Sequence, residues 1–280
     1  MRSAVVTGAS TGIGRACALL LHSKGWMVFA GVRRAEDGDA LRQAASDRLH
    51  PLPLDVTAPE QIRAAAARVA AAVGQSGLDA LVNNAGIAVA GPLEFVPPAE
   101  LARQLEVNVI GQVAVTQPFI PLLRQARGRI VNMGSVSGLV SLPFMGPYSA
   151  SKFALEAITD ALRLELTPWG IGVIIVEPGT IATPIWDKSG AAADLLAAAY
   201  PPEAQTLYGG TFAALRERVV AAGKRGLPPE RVAAVVLEAL TAERPRTRYV
   251  VAPGGAAVRV MRHLPDRTRD SLVQRRLPKA

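Results

Sequence analysis

Short runs of β-branched and other apolar residues alternate along the chain with longer, alanine-rich stretches in which apolar residues recur at helical spacing. The short runs predict seven strands, at residues 4–6, 27–32, 49–54, 80–82, 129–133, 173–176 and 249–252. The longer stretches predict six helices, near residues 13–24, 39–47, 58–73, 99–125, 148–167 and 229–241. This alternation predicts an α/β fold, a Rossmann-type doubly wound, seven-stranded parallel sheet with helices on both faces.

Residues 179–227 break the alternation, because roughly fifty residues separate the sixth strand from the next helix. Connections in such folds usually have about 2–6 residues. The segment contains Trp186, Leu195 and Tyr200 among other large apolar side chains, which is unusual for a disordered insertion. We therefore expect a substrate lid, partly helical near residues 191–199 and 212–222, and keep a disordered surface insertion as the alternative.

The composition fits one folded domain over residues 1–280, since half of the residues are hydrophobic and only 19% are charged. The net charge of +8 invites a nucleic-acid or membrane interpretation. However, residues 1–243 are balanced in charge, and residues 244–280 carry ten basic against two acidic residues. The excess charge therefore belongs to a basic C-terminal segment.

That segment has one aromatic residue, Tyr249, and no nucleic-acid recognition motif, so we expect no nucleic-acid partner. Weak contact with a membrane surface is a second possibility, through a short helix with separate apolar and cationic faces. The apolar face would carry Val258, Met261 and Leu264, and the other faces Arg259, Arg262 and His263. A solvated or subunit-facing segment is the alternative.

The sequence predicts neither a disulfide nor a metal site. Cys17 is the single cysteine, and His22, His50 and His263 are isolated from one another. Met1 lies two residues before the first apolar run, and the longest charge-free stretch, 130–151, contains five serines, three glycines and two prolines. We expect a soluble, cytoplasmic protein.

A glycine-rich turn follows the first predicted strand and opens the first predicted helix. Glycines at this point let the backbone turn sharply and let a pyrophosphate approach the amides of a helix N-terminus. The turn predicts a dinucleotide site that contains Gly8, Ser10, Thr11, Gly12, Ile13 and Gly14.

The second predicted strand ends in Arg33 and Arg34 rather than in the carboxylate that would bind the adenosine ribose of NAD. An arginine can hold a 2′-phosphate by charge-assisted hydrogen bonds, so we expect NADP(H) as cofactor, with NAD(H) as the alternative. Two solvated arginines at the start of a loop would also explain the pair.

Tyr148 and Lys152 are four residues apart at the start of a predicted helix and thus share one face. Ser135 follows the fifth predicted strand, at the sheet edge where ligands bind in open α/β folds. A phenol with an ordinary pKa near 10 is a poor base, but an ammonium about 5 Å away contributes roughly 3 kcal/mol at an effective dielectric of about 20. We therefore expect Lys152 to lower the pKa of Tyr148, while Ser135 orients a substrate oxygen.

These motifs together resemble those of the short-chain dehydrogenases/reductases. The matching positions are Thr7 to Gly14, Asn83 to Gly86, Asn108, Ser135, Tyr148, Lys152, Pro178 and Gly179, in the order that the family has. The resemblance covers about residues 1–255, and the glycine spacing is similar to the compact branch. The stretches 134–139 and 153–156 are similar to 17-beta-hydroxysteroid and retinol dehydrogenases.

The resemblance implies a role for each matching residue. Tyr148 would be the acid/base, Lys152 its activator, and Asn108 the holder of a proton-relaying water. Lys152 would also bind the nicotinamide ribose. The remaining cofactor contacts implied are Asp55 and Val56 at the adenine, Asn83, Asn84, Ala85 and Gly86 at the adenosine ribose, and Pro178, Gly179, Ile181 and Thr183 at the nicotinamide. For Asn108 and Asp55, hydrogen bonds that only satisfy nearby backbone are the alternative.

The segments expected around the reacting carbon carry almost no charge, which predicts an apolar alcohol or ketone. The similarity to 17-beta-hydroxysteroid and retinol dehydrogenases implies a steroid, retinoid or long-chain carbonyl substrate. Leu142, Phe144, Ile185 and Trp186 are the candidate substrate contacts. An ordinary core or a subunit contact would explain the same residues. A homodimer or homotetramer that pairs through helices 99–125 and 148–167 is implied by the resemblance, and a non-catalytic NADP(H)-binding sensor is the competing function.

Overall fold

The computed structural model describes residues 1–45 and 47–275 and contains one seven-stranded, wholly parallel sheet. Its spatial order is β3-β2-β1-β4-β5-β6-β7, which reverses direction between β1 and β4. The strands are β1 (Ser3–Val6), β2 (Met27–Val32), β3 (Leu49–Pro53), β4 (Ala80–Asn83), β5 (Arg129–Met133), β6 (Gly172–Pro178) and β7 (Arg248–Val251). The predicted doubly wound fold is confirmed, and each strand overlaps its predicted position.

Eleven α-helices lie within the described residues. Those of the sheet layers are α1 (Gly12–Ser23), α2 (Ala35–Gln43), α3 (Pro59–Val73), α4 (Pro98–Leu105), α5 (Gly111–Ala126), α6 (Gly146–Leu166) and α9 (Pro229–Thr241). The helices of the insertion are α7 (Ile185–Ala198) and α8 (Pro202–Lys224), and those of the C-terminal segment are α10 (Gly255–Met261) and α11 (Asp266–Gln274).

The core lies on both faces of the sheet because successive strand residues point in opposite directions. Val6 and Val82 face the layer in which α1 packs against α9, whereas Val5 and Leu81 face the layer of α3 and α5. All four side chains are fully buried. Strands that are apolar on both faces explain why the sequence showed short continuous apolar runs.

Two helix predictions need correction. Helix α2 begins at Ala35 and ends at Gln43, four residues before each predicted bound, because Glu36 and Asp37 occupy its first turn, where acidic side chains are favoured. Residue 46, at the end of the predicted helix, lies outside the described residues. The single helix predicted at 99–125 consists of α4 and α5 joined by a π-helical turn, Glu106–Ile110.

The insertion is more helical than predicted, since α7 and α8 cover most of it. Its two ends lie side by side: Ile181 bridges Leu227 in parallel, Ala182 donates to the Leu227 carbonyl (2.9 Å), and Leu227 donates to the Thr180 carbonyl (3.0 Å). Helices α7 and α8 are therefore connected to the rest of the fold through two chain segments that lie side by side. Whether they act as a lid stays a prediction.

The basic C-terminal segment is not wholly an appendage, because Arg248 begins the last strand. Its guanidinium ion-pairs with Glu156 and Asp160 on α6 and with Glu177 on β6. Glu156 and Glu177 are buried, and burial raises the pKa of Glu177 to about 7. Arg248 thus fixes α6 to the sheet edge by neutralising carboxylates that would otherwise be buried unpaired.

The rest of the segment forms two short helices. The predicted apolar face does not project freely, because Val258, Met261 and Leu264 are half-buried, and Leu264 lies beyond the end of α10. Arg276 and Lys279 lie outside the described residues. Among the helices described, none combines the length and the hydropathy needed to span a membrane.

Candidate active site

The glycine turn connects β1 to α1 at the point where the sheet order reverses. Gly8 and Gly12 have φ of 63° and 56°, in the left-handed region that favours glycine. A Cβ on Gly14 would lie 2.2 Å from the Gly8 carbonyl oxygen and 2.4 Å from Asn84 Nδ2. Asn84 Nδ2 donates to the carbonyls of Thr7 (3.0 Å) and Gly8 (3.1 Å). The turn is therefore narrow, because the Gly8 carbonyl and the Asn84 amide fill the space that a side chain on Gly14 would need.

Thr7, which the family resemblance includes without a role of its own, holds the neighbouring segment. Its hydroxyl accepts from the backbone amides of Asn84 (2.9 Å) and Ala85 (3.0 Å). Asn83 points away from the turn, since its Nδ2 donates to Thr116 Oγ1 (2.8 Å) and Asn132 Oδ1 (3.0 Å) in the buried core. Of the two asparagines, only Asn84 contacts the glycine turn.

Ser135, Tyr148 and Lys152 come together beyond the end of β5. Tyr148 and Lys152 lie on the first two turns of α6, with Lys152 Nζ 5.7 Å from the centre of the phenol ring. Lys152 Nζ donates to the Met133 carbonyl at 2.7 Å. Ser135 opens the turn after β5, and its hydroxyl accepts from the Ser137 amide at 3.1 Å. The predicted cluster of hydroxyl, phenol and amine is present.

The pKa values differ from the expectation that Lys152 would lower that of Tyr148. Burial raises the pKa of Tyr148, and a hydrogen bond with Ser135 opposes part of that rise. Burial also lowers the pKa of Lys152 to about 8. Desolvation penalises the charged form of each group, so burial raises the pKa of the phenol and lowers that of the amine. The phenol therefore holds its proton at neutral pH.

Asn108 lies in the π-helical turn between α4 and α5 and is fully buried. Its amide accepts from the Ile87 amide (2.9 Å) and donates to the Ile87 carbonyl (3.0 Å) and to Ser151 Oγ (3.1 Å). Gln104, about one turn before it, also donates to the Ile87 carbonyl (3.0 Å) and accepts from the Val89 amide (2.7 Å). Both side-chain amides hold the segment after β4 in place. Gln104 belongs to no motif in the sequence and was not predicted as a site residue.

At the end of β2, Arg33 and Arg34 are both exposed. Arg34 pairs with Asp37 through two hydrogen bonds of 3.0 and 2.8 Å. Within the described residues Arg33 makes no hydrogen bond or ion pair, so its guanidinium is available to a ligand. Asp55 is used locally, accepting from the Thr57 amide (2.9 Å) and hydroxyl (2.8 Å), and Val56 beside it is buried.

The residues after β6 lead from the sheet to the insertion. The Gly179 amide donates to Val251 at 3.0 Å, continuing the pairing of β6 with β7 after Pro178. Ile181 is buried in the core. Thr183 reaches the glycine turn, because a Cβ on Gly12 would lie 3.0 Å from Thr183 Cγ2. The start of the insertion therefore adjoins the cofactor turn.

An apolar cavity of about 50 Å³, open to solvent, lies between the insertion and the loops after β4 and before α6. Phe144 and Trp186, two of the four candidate substrate contacts, line it, and their contact with a substrate stays a prediction. Leu142 and Ile185, the other two candidates, are not among the lining residues. Leu142 points to solvent, and Ile185 is the first residue of α7, immediately before Trp186. Met145, which caps the start of α6, is also in the lining, so the cavity adjoins the helix turn that carries Tyr148.

Aromatic side chains join the insertion to the two loops. Phe144 packs against Tyr208 and Phe212 of α8, with ring centres 6.1 and 5.4 Å apart. Phe95 packs against Tyr200 and Tyr208, at 6.2 and 6.0 Å. Such pairs contribute about 0.5–1.5 kcal/mol each beyond their buried area. They hold the insertion over the cavity.

A comparison with protein families bears on this arrangement. The family model described as short chain dehydrogenase matches residues 2–194, more than half of the chain. The chain belongs to the short-chain dehydrogenase family. The match includes the glycine turn, Ser135, Tyr148 and Lys152, and the protein is therefore an oxidoreductase by family.

Two curated relatives of this short-chain dehydrogenase are similar over nearly its whole length. An "NADPH-dependent 3-dehydrocapnine reductase" of Ornithobacterium rhinotracheale is 40% identical, with 100% of this chain and 98% of the relative covered. "Retinol dehydrogenase 5" of Mus musculus is 40% identical, with 98% and 88% covered.

Two solved structures are similar to it as well. A short-chain dehydrogenase from Streptomyces avermitilis is 31% identical, with a TM-score of 0.78 and 98% of this chain and 95% of that chain covered. One from Burkholderia cenocepacia, solved in complex with NADP, is 27% identical, with a TM-score of 0.72 and 99% and 100% covered.

No group of three or more histidine, cysteine or acidic side chains suited to a metal ion occurs in the part of the chain that the structure describes.

The buried Lys152 gives a prediction about stability. Below pH 8 the lysine carries its proton in both the folded and the unfolded state, so the folded state bears the full cost of burying a charged ammonium. Between pH 8 and 10.5 the folded state loses this proton while the unfolded state keeps it. The destabilisation caused by the buried charge therefore decreases across this pH range. Lys152→Met should therefore raise the free energy of unfolding at pH 7 by about 2 kcal/mol, with the Met133 carbonyl left unpaired.

Urea denaturation at pH 7 and at pH 9.5 measures this difference, with exposed Lys24→Met as the matched control. We expect the gain of Lys152→Met to shrink at the higher pH and the control to show no gain at either. A gain that is equal at both values, or a loss of stability at pH 7, would refute the burial cost.

Proposed function

We propose that this short-chain dehydrogenase is an NADP(H)-dependent oxidoreductase that interconverts an apolar secondary alcohol with its ketone, or an alcohol with its aldehyde. The observation that carries the proposal is the apolar cavity, which adjoins the helix turn of Tyr148 on one side and the insertion on the other. Steroid-, retinoid- or long-chain-like substrates suit such a lining. The names of the two curated relatives support both the chemistry and the cofactor.

The glycine turn fits a dinucleotide on structural grounds. A Cβ on Gly14, in the first turn of α1, would collide with the Gly8 carbonyl and with Asn84 Nδ2, so the backbone here requires glycine, and the N-terminus of α1 offers backbone amides to a pyrophosphate. The residues that would hold it are Gly8, Ser10, Thr11, Gly12, Ile13 and Gly14, with Asn84, Ala85 and Gly86 beside the turn and Asp55 and Val56 at the adenine. When bound, the nicotinamide supplies or accepts the hydride.

Arg33 is the residue we assign to the 2′-phosphate of NADP(H). Its guanidinium is exposed and unpaired within the described residues, whereas that of Arg34 is already paired with Asp37. Paired charge-assisted hydrogen bonds to a phosphate suit a free guanidinium. Arg34 would then orient the loop through Asp37, and Arg33 would make the contact with the 2′-phosphate.

Tyr148 is the proposed acid/base. For reduction it must hold a proton and donate it to the substrate oxygen, and burial keeps the phenol protonated at neutral pH. Ser135 is placed to orient that oxygen through its hydroxyl, and Lys152 to bind the nicotinamide ribose and stabilise the phenolate left behind.

The roles of Asn108, Pro178, Gly179, Ile181 and Thr183 stay predictions. Asn108 keeps one acceptor position on its amide oxygen after its contacts with Ile87 and Ser151, which leaves room for the relay water. Thr183 adjoins Gly12 and is the best placed of the remaining four. Pairing of two copies through α4 to α6 also stays a prediction, to which the exposed Phe153 and Leu164 lend support.

Replacing Tyr148 by Phe tests the proposed acid/base. The variant keeps the ring but cannot donate a proton, so we expect turnover of an apolar ketone with NADPH to fall by at least about 10²-fold, while NADPH affinity stays within about twofold. The assays are NADPH oxidation followed at steady state and cofactor binding by calorimetry. Turnover close to that of the unaltered protein would show that Tyr148 is not the acid/base, and full turnover loss together with lost cofactor binding would point to a misfolded variant.

Replacing Arg33 by Ala tests the cofactor assignment. We expect the KM for NADPH to rise about tenfold or more, because one charge-assisted contact is lost, and the KM for NADH to stay nearly unchanged. Arg42→Ala, which removes an exposed arginine on α2 bound to Asp39, is the matched control and should change neither. Equal effects of Arg33→Ala on the two cofactors would contradict the assignment and favour the NAD(H) alternative.

A further inference from the structure

The second insertion helix, α8, presents an apolar stripe to the substrate cavity with one charged residue set into it. Its lining residues follow the three- and four-residue spacing of one helix face, and they are Phe212, Leu215, Arg216, Val219 and Val220. Four of the five are apolar, as expected for a cavity wall. Arg216 therefore occupies a position where the spacing alone would favour another apolar residue.

The other walls of the cavity carry no charge among the described residues. Helix α7 contributes Trp186, Ser189, Gly190 and Ala193, and the two loops contribute Ala88, Ala90, Phe144 and Met145. Arg216 is thus the one ionised group in the described lining. The sequence-based expectation of an almost uncharged pocket did not include Arg216, because the sequence does not show which face of the helix predicted at 212–222 lines the cavity.

The side chain of Arg216 extends from the cavity wall to α7. It forms an ion pair with Asp194 of α7, whose side chain is 59% exposed, while that of Arg216 is 33% exposed. The methylene stem can therefore cover the apolar wall while the charged end lies at the solvent boundary. The contact with Asp194 also means that a carboxylate already fits against this guanidinium.

An exposed ion pair of this kind contributes little to stability, so holding α7 to α8 is a weak reason for a charge in the stripe. A planar guanidinium, by contrast, binds carboxylate, sulfonate or phosphate groups through paired hydrogen bonds. A substrate anion could replace Asp194 without exposing an uncompensated charge, because that carboxylate would simply return to water.

We propose that Arg216 determines substrate specificity by binding the anionic group of an amphipathic substrate, whose apolar chain fills the cavity and whose carbonyl lies beside Tyr148. This inference rests on the proposed function for the fate of the carbonyl, and it adds the chemical class of the substrate. Neutral apolar ketones would be accepted as poorer substrates.

A binding experiment tests the proposal without any need for turnover. Trp186 lines the cavity, so its fluorescence reports occupancy, with Trp186→Phe as the blank. The probes are decanoate, 1-decanesulfonate and 1-decanol, below their micellar concentrations. We expect the two anions to bind the unaltered protein about tenfold more tightly than the alcohol, the gain of one charge-assisted contact.

Three variants separate recognition from a structural role. Arg216→Met should remove the preference for the anions, whereas Asp194→Asn should keep or increase it, because the competing carboxylate is gone. Arg63→Met, which breaks an exposed arginine–glutamate pair on α3, should change nothing. Equal binding of alcohol and anions by the unaltered protein, or equal losses in Arg216→Met and Asp194→Asn, would overturn the proposal.

An activity measurement keeps this inference distinct from the proposed function. A long-chain keto acid and the neutral ketone of equal chain length are compared with NADPH, and Arg216→Met should lower kcat/KM about tenfold for the keto acid alone. If the unaltered protein reduces both compounds equally well, the proposed function stands and the role of Arg216 is refuted. If it reduces neither but binds the anions preferentially, the anion site stands and the proposed function fails.

Discussion

The amide of Asn84 makes the interaction on which the candidate site depends. By donating to the carbonyls of Thr7 and Gly8, it fixes the end of β4 against the glycine turn. Strands β1 and β4 both end at this edge of the sheet. Because the sheet order reverses between them, a crevice forms at this point, and ligands bind at such crevices in open α/β sheets. The same close approach leaves no space for a side chain on Gly14.

From this junction the polar contacts continue to the reacting groups. The segment after Asn84 passes to Ile87, which Gln104 and Asn108 clamp, and Asn108 in turn contacts Ser151 on the helix of Tyr148. Buried hydrogen-bonded networks of this kind position groups at the expense of desolvation. The ion pairs of Arg248 hold the same helix from the opposite side, so Tyr148 and Lys152 project from a helix that is fixed at two places.

The sequence predicted what local spacing determines. Seven apolar runs became the seven strands, and Tyr148 and Lys152 share a helix face because residues four apart do so in any α-helix. It could not predict what depends on tertiary contacts: that Arg34 is paired with Asp37, that Leu142 faces solvent, or that burial raises the pKa of Tyr148. The charge of Arg216 in the cavity wall was missed for the same reason, since the sequence does not show which face of the helix predicted at 212–222 lines the cavity.

Transfer of deuterium from the cofactor to the product tests whether the glycine turn and the Tyr148 helix bring a nicotinamide and an apolar carbonyl together. The full chain would be incubated with a long-chain ketone and NADPH carrying deuterium at both C4 positions of the nicotinamide, and the product examined by mass spectrometry. We expect an alcohol with one deuterium on its carbinol carbon. No alcohol, or an alcohol without deuterium, from a protein that binds NADPH would contradict it.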